Sequence, residues 1–162
     1  MDFEIRSADP ADAEPLSALA LRAKSSWGYP SEWLARWSDD LTLTAEYLAT
    51  NPGFVAVENG TPIGVCVLQE AGGGATLEHV WVDPECHGRG VGRELVQRAL
   101  ARARDLGLER VEVHSDPFAE EFYLRLGARR IGSIPAPQPG AATRTLPLLE
   151  FTLENSNERR PA

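Results

Sequence analysis

The sequence predicts a mixed α+β fold whose sheet is antiparallel in its first half. Three observations predict it. Two apolar runs, FVAVE (54–58) and PIGVCVLQE (62–70), flank Asn59-Gly60, and Asn-Gly between alternating hydrophobics is the strongest short hairpin signal. From residue 76 onward, strand-like and helix-like stretches alternate, as strand-helix-strand units do. Between residues 9 and 50 the apolar residues recur at helical spacing.

Taken in order, DFEIRS with Phe3 and Ile5 predicts a short first strand, and Asp9-Pro10 opens a helix carrying Leu16, Leu19, Ala20 and Ala23 on one face. Gly28 and Pro30 break it, and Ser31 is the expected N-cap of a second helix. Thr44 to Ala49 adds about one further turn. After the hairpin, AGGGA (71–75) leads into a strand at TLEHVWVD (76–83). Val91, Leu95, Ala99 and Ala103 then trace an amphipathic helix that Gly107 stops. LERVEVHS (108–115) is a strand; Asp116 and Pro117 are the N-cap and first residue of a shorter helix that ends at Gly127. A short strand follows at 128–132, then a Pro/Gly-rich loop (SIPAPQPGAATRT), and LPLLEFTL (146–153) is the last strand. Residues 1–153 are expected to form a single domain, with 154–162 a frayed tail.

The 162 residues carry 43% hydrophobic and 25% charged side chains, the composition of a globular protein, and no apolar run approaches the ~20 residues of a membrane span. MDFEIRSADP reads as neither a basic nor an apolar targeting segment, so a cytoplasmic protein is expected. The net charge of −8 argues against general nucleic-acid binding, which rests on neutralising phosphates. Within residues 88–104, however, five arginines face one glutamate, making that segment +4 and the rest −12. Cys66 and Cys86, and the three histidines His79, His87 and His114, have no metal-ligand spacing, and no metal is expected.

Gly88, Gly90 and Gly92 stand at alternate positions where an apolar strand gives way to a helix. Glycine in a helix interior costs up to ~1 kcal/mol, so three of them require a sharp turn or a close approach by a ligand. A Walker loop needs Lys-Ser/Thr, and the dinucleotide fingerprint needs glycine where Arg93 sits. An acetyl-CoA loop, Arg/Gln-x-x-Gly-x-Gly/Ala after a strand, fits His87, Gly90 and Gly92, with His in place of Arg or Gln. A helix starting near Gly90 presents unpaired N–H groups and a positive dipole end to an anion, with Arg89 and Arg93 beside it.

Further along, HSDPFAEEFYLRLGARRIG (114–132) resembles the second signature of the GNAT N-acetyltransferase superfamily, through Asp116, Ala119, Phe122, Tyr123, Leu126, Gly127 and Ala128. VWVDPECHGRGVGREL resembles the first signature, and the resemblance covers about residues 3–153. It implies the acyl-CoA N-acyltransferase fold: α+β, three layers α/β/α, with a mixed central sheet of about seven strands splayed at the CoA site. It further implies acetyl-CoA as acyl donor, held by the backbone of Val80, Trp81 and Val82 along the pantetheine arm. His87, Gly88, Arg89, Gly90, Val91, Gly92 and Arg93 are then expected around the pyrophosphate. As side chains, residues 80–82 also read as ordinary alternating core positions.

Tyr123 matches the tyrosine that protonates the leaving thiolate in many members; a neutral phenol can do so at pH 7. By residue type alone a core tyrosine sharing a face with Ala119 and Leu126 is the favoured reading, and the resemblance reverses that preference. Asp116 matches a position that often touches the CoA arm, and it is also a good N-cap. Glu78 lies on the pantetheine strand, where many members place a carboxylate that takes the acceptor's proton; a solvent-facing strand glutamate is the other reading. His79 is expected on the opposite face. Trp27, Tyr29, Trp33 and Trp37 fall where the family's first helices wall the acceptor site. Trp33 and Trp37 suit a helix packed on the sheet, while Trp27 and Tyr29, at the Gly/Pro break, suit a binding loop.

The implied activity is acetyl transfer from acetyl-CoA directly to a primary amine, with a small-molecule acceptor favoured over a protein or peptide. A non-catalytic acyl-CoA sensor is the rival reading, and Tyr123 speaks against it. Nothing in the sequence decides oligomeric state, and a homodimer is compatible with it. The acidic remainder of the chain favours a cationic acceptor over an anionic one.

Overall fold

The computed structural model describes residues 2–153; the predicted tail at 154–162 lies outside the described residues. Seven strands form one mixed sheet in the order β1-β2-β3-β4-β5-β7-β6. They are β1 Glu4–Ser7, β2 Gly53–Glu58, β3 Thr61–Ala71, β4 Gly74–Val82, β5 Arg110–His114, β6 Arg129–Pro135 and β7 Thr145–Thr152. The helices are α1 Ala13–Ser25, α2 Ser31–Arg36, α3 Ala45–Thr50, α4 Val91–Asp105 and α5 Glu120–Arg125. Internal packing divides the chain into two compact units: one reaches to Leu68 and includes Glu78–Ala99, and the other holds Gln69–Leu77 and the chain from Leu100 onward.

In the first unit, β1, β2 and β3 are antiparallel, and the β2–β3 turn is made by Asn59 (φ 50°) and Gly60 (φ 78°), both left-handed as a tight hairpin requires. Val65 and Val67 of β3 pack with Leu16, Leu19 and Ala20 of α1 in the hydrophobic core. Gly64, one residue before Val65, points the other way. A Cβ placed on it would lie 2.8 Å from both Val91 Cγ1 and Leu95 Cδ1 of α4. One strand therefore has α1 on one face and α4 on the other, and the missing side chain of Gly64 lets α4 lie close to the sheet.

Asp9 caps a 3-10 turn at Pro10–Asp12 ahead of α1. Asp12 returns the bond to the Asp9 N–H at 2.7 Å and takes a bidentate pair from Arg6, both contacts at 2.8 Å. That guanidinium holds the Asp12 carboxyl below the usual carboxylate range. The predicted cap of α2 is displaced by one residue: Pro30 is the N-cap, and Ser31 begins the helix without capping it. Proline fixes φ and leaves no N–H to satisfy, which suits the residue entering a helix.

In the second unit, β4 and β5 are parallel and pair at Ala75↔Val111 and Thr76↔Glu112. The ladder ends there, although β4 runs on to Val82 and β5 to His114. β5 pairs with β7, and β7 with β6, both antiparallel. β6 extends three residues beyond its predicted end, because Ser133, Ile134 and Pro135 pair with Pro147, Leu146 and Thr145. A Pro/Gly-rich composition suggests a loop there, yet an edge strand tolerates proline. Gly127 (φ 108°) ends α5 and Gly107 (φ 78°) ends α4, both as predicted.

Candidate active site

The loop that joins β4 to α4 is built in short, capped steps. The Asp83 N–H bonds to Ile63 O (2.8 Å), tying the strand end to β3, and the Asp83 side chain accepts from the Glu85 N–H (3.0 Å) to start a 3-10 turn at Pro84–Cys86. Arg22 of α1 reaches the same carboxylate at 3.2 Å. His87 is extended (φ −63°, ψ 149°), and its Nε2 lies 3.3 Å from Val82 O, so the ring folds back onto the strand it has just left.

Gly88 (φ 80°) and Gly90 (φ 82°) are both left-handed, and a Cβ on either would meet no atom within 4 Å. The space over them is open. Gly92 does different work: it is the second residue of α4, buried in the helix's first turn. The first intrahelical donor is Glu94, bonded to Gly90 O at 3.1 Å. The N–H groups of Val91, Gly92 and Arg93 precede it and have no intrahelical acceptor. A 15-residue helix aligns its dipole on this point. Left-handed glycines, open space and unclaimed N–H groups together make a cradle that suits a phosphate or pyrophosphate group, and one that a side chain would fill. Arg89 does not point its charge there unopposed. Its guanidinium forms an ion pair with Glu58 at the end of β2, which holds that carboxyl below its usual range. Arg89 Nη1 is also 3.6 Å from Cys86 Sγ.

On β4, His79 has φ 52°, a left-handed backbone at a non-glycine residue. It interrupts the two-residue alternation on which the opposite-face reading of Glu78 and His79 rests. Trp81 Nε1 donates to His79 Nδ1 at 3.3 Å, and the Tyr47 ring stands edge-on to the imidazole at 5.5 Å between centroids. Burial holds the His79 pKa below its ordinary value, with Asp40 pulling the other way. Its Nδ1 lone pair is engaged by the indole, which leaves the neutral ring its proton on Nε2. Tyr47 escaped the sequence reading. Burial, and then the Glu78 charge, push its phenol pKa well up. A tyrosine in a six-residue helix with no motif gave no sequence signal.

The aromatic residues divide differently from the expectation. Trp27 lies against His87, ring centroids 6.4 Å apart. Tyr29 joins Trp33 (5.7 Å, stacked) and Trp37 (5.0 Å, edge-on). The Lys24 ammonium sits over these rings: 4.4 Å from the Trp37 centroid, 4.9 Å from Tyr29 and 6.0 Å from Trp81. A cation already lies over the Tyr29 ring face that the sequence reading offered to an acceptor.

In the second unit, Asp116 caps a 3-10 turn at Pro117–Ala119 by accepting from the Phe118 N–H at 2.9 Å. Tyr123 on α5 is buried (6% exposed), edge-on to Phe122 at 5.0 Å. Both cysteines are buried, and burial is the main cause that pushes each thiol pKa up, the reverse of an activated nucleophile. Among the described residues no group of three His, Cys, Asp or Glu could hold a metal ion, and no helix is long and apolar enough to cross a membrane.

In sequence, the chain is 31% identical over 113 residues to glucosamine 6-phosphate N-acetyltransferase 1 of Oryza sativa subsp. japonica, covering 70% of this chain and 64% of that protein. It is 41% identical over 72 residues to blasticidin-S acetyltransferase of Streptomyces morookaense, covering 43% and 53% respectively. The chain thus spans less than two thirds of the length of either relative. In fold, it matches the PaiA N-acetyltransferase of Thermoplasma acidophilum, solved in complex with coenzyme A. The TM-score is 0.75 at 18% identity, over 94% of this chain and all of that one. The ribosomal-protein-S18-alanine N-acetyltransferase of Escherichia coli matches with a TM-score of 0.72 at 16% identity, over 99% of both chains. The sequence profile of the acetyltransferase (GNAT) family covers residues 18–128, from α1 through the glycine loop to the end of the Tyr123 segment, and the chain belongs to that family.

Proposed function

We propose that this protein transfers the acetyl group of acetyl-CoA directly to a primary amine on a small-molecule acceptor, residues 1–153 serving as one catalytic domain. The observation that carries this reading is the open cradle at Gly88 and Gly90 beneath the first turn of α4. A cradle of N–H groups without side chains suits the pyrophosphate of CoA. When bound, acetyl-CoA supplies an activated thioester.

The chain's residues supply the rest. Val80, Trp81 and Val82 offer backbone N–H and C=O groups to the pantetheine arm, and the loop from Gly88 to Arg93 holds the phosphates. His87 steadies the loop through Val82 O and Trp27. Glu78 takes the proton that an ammonium must lose before it can attack, and Tyr123 returns one to the departing sulfur. Relatives named for glucosamine 6-phosphate and blasticidin-S support a small acceptor rather than a protein. The −12 charge outside residues 88–104 favours an amine carrying no strong anion.

The test is thiol release from acetyl-CoA across a panel of small amines, amino acids, amino-sugar phosphates and short peptides. One small amine should dominate. Tyr123→Phe, which keeps the ring, should lower kcat by ~10²–10⁴-fold while leaving CoA affinity in place. Glu78→Gln should lose activity at neutral pH and regain it as the amine deprotonates at high pH. Absence of CoA binding, or full turnover in both variants, overturns the reading.

A further inference from the structure

Of the chain's sixteen basic residues, fifteen are arginine; Lys24 is the only lysine. A guanidinium stays protonated and is no nucleophile, so Lys24 carries the one side-chain amine in the protein. That amine is held in a defined place. Its Nζ stands over Trp37, Tyr29 and Trp81 at 4.4, 4.9 and 6.0 Å from the ring centroids, and these rings come from the end of α2, the loop before it and β4. Trp37 and Trp81 pack on the hydrophobic core, and the Trp81 indole is pinned to His79 Nδ1, so the walls of the cage are fixed. Aromatic faces attract a cation through their quadrupole and select a compact ammonium well. The side chain of Lys24 is only partly buried, which leaves the amine within reach of a small group.

The Trp81 wall lies three residues from Glu78, on the strand segment that the functional reading assigns to the acetyl donor and the proton acceptor. The sole side-chain amine of the chain thus stands 6.0 Å from the centroid of a ring carried by the strand assigned to handle the acceptor's amine. From this placement we propose that Lys24 is a self-acetylation site, an inference that rests on the acetyl-CoA reading above. Lys24 Nζ, once its ammonium has given one proton to water, forms a C–N bond to the acetyl carbonyl carbon as the C–S bond breaks. A second proton leaves Nζ to water, and the sulfur departs as a thiolate that takes up one proton. The products are Nζ-acetyllysine and CoA, and no oxidant or reductant is needed. Acetylation removes the charge and with it the cation that Tyr29, Trp37 and Trp81 surround, so the modification reports directly on the cage.

The experiment incubates the full chain with acetyl-CoA and no acceptor, then follows intact mass, peptide mapping and tryptophan fluorescence. One acetyl group should appear on Lys24, at a rate independent of protein concentration, together with a fluorescence change. Lys24→Arg should show neither the mass nor the fluorescence change, and Gly90→Glu, folded by circular dichroism, should lose the modification at least ten-fold. An unmodified Lys24 in a protein that binds CoA and acetylates an amine overturns the inference and leaves the functional reading standing. Equal labelling of Lys24 in the urea-unfolded chain or in Gly90→Glu also overturns it, since it marks uncatalysed chemistry. Failure of the wild type to bind CoA overturns the functional reading, and the inference with it.

Discussion

The glycine loop and the β4 strand that leads into it both contain left-handed backbone, and they hold it in opposite ways. At Gly88 and Gly90 the conformation is nearly free of steric cost, and the space where a side chain would stand is open. At His79 the same region of φ carries a full imidazole, which costs of order 1–3 kcal/mol. The surroundings of His79 offset that cost: a hydrogen bond from Trp81 and an edge-on ring from Tyr47. Where the chain must yield to an incoming group it uses glycine. Where it must bend and still present a side chain, it accepts strain and fixes it by packing.

The largest expected effect breaks the first half of that comparison. Gly90→Glu places bulk and negative charge in the cradle, and CoA affinity should fall at least ~100-fold, about 2.7 kcal/mol. Gly90→Ala separates the two causes. Its Cβ meets nothing in the free protein, so the variant should fold at a cost of about 1 kcal/mol in stability from the left-handed φ, and lose CoA affinity by much less than the glutamate. Isothermal titration and a melting curve read both quantities. Equal CoA affinity in wild type and Gly90→Glu would move the phosphate site elsewhere.

The second half breaks at His79. A β-branched residue is the worst occupant of positive φ and removes both partners, so His79→Val should cost about 2–4 kcal/mol. His79→Asn, from a residue type that tolerates this region, should cost distinctly less. If urea denaturation ranks the two variants equally, the strain account is wrong. The pKa adds a signed expectation. Burial lowers the folded His79 pKa, so the unfolded chain binds this proton more readily. Stability from this residue is therefore full above about pH 6.5 and declines as pH falls from there towards the depressed folded value.

How much of this was legible in the sequence follows from the same contrast. Gly88 and Gly90 announce a left-handed loop by residue type, and Asn59-Gly60, Asp116-Pro117, Gly107 and Gly127 likewise name the turns they make. The places of the strands along the chain and the helix faces came from periodicity and hairpin signals. The bend at His79 is invisible because histidine, though better tolerated there than most residues, seldom adopts positive φ; the packed Trp81 and Tyr47 help make it stable. Lys24 was passed over because a lysine near the end of a helix reads as a favourable charge at the dipole, and the rings around it come from distant parts of the chain. The Arg89–Glu58 pair joins residues 31 apart and was equally hidden. Local rules reveal local geometry, whereas the cage and the pair are tertiary.

Gly64 sharpens the comparison, since it is a glycine of a third kind, with ordinary φ but no room. A Cβ there would lie 2.8 Å from Val91 and Leu95, whose helix begins the cradle. Gly64→Ala should cost about 1–3 kcal/mol by overpacking. It should also weaken CoA binding by shifting α4. Loss of stability with untouched CoA affinity would show that the cradle is held by the Asp83 and His87 contacts alone.

The smallest effect concerns the charge beside the cradle. Arg89 is paired with Glu58, and its guanidinium serves a phosphate only by leaving or sharing that carboxylate. Glu58 is held below the usual carboxylate range, so the pair persists throughout neutral pH and is lost only on acidification through that lowered value. Substitution is therefore the way to open it. Glu58→Gln removes the competing charge and leaves Arg89 to the ligand, so CoA should bind tighter by about two- to five-fold at low salt, the modest scale of an exposed ion pair. The gain should vanish near 1 M salt, where the Debye length is about 3 Å. Weaker binding in Glu58→Gln would mean that the carboxylate positions Arg89 for the phosphate instead of withholding it. Double substitution with Arg89→Met decides between the two: if Glu58 acts through Arg89, its removal has no effect once the arginine is gone.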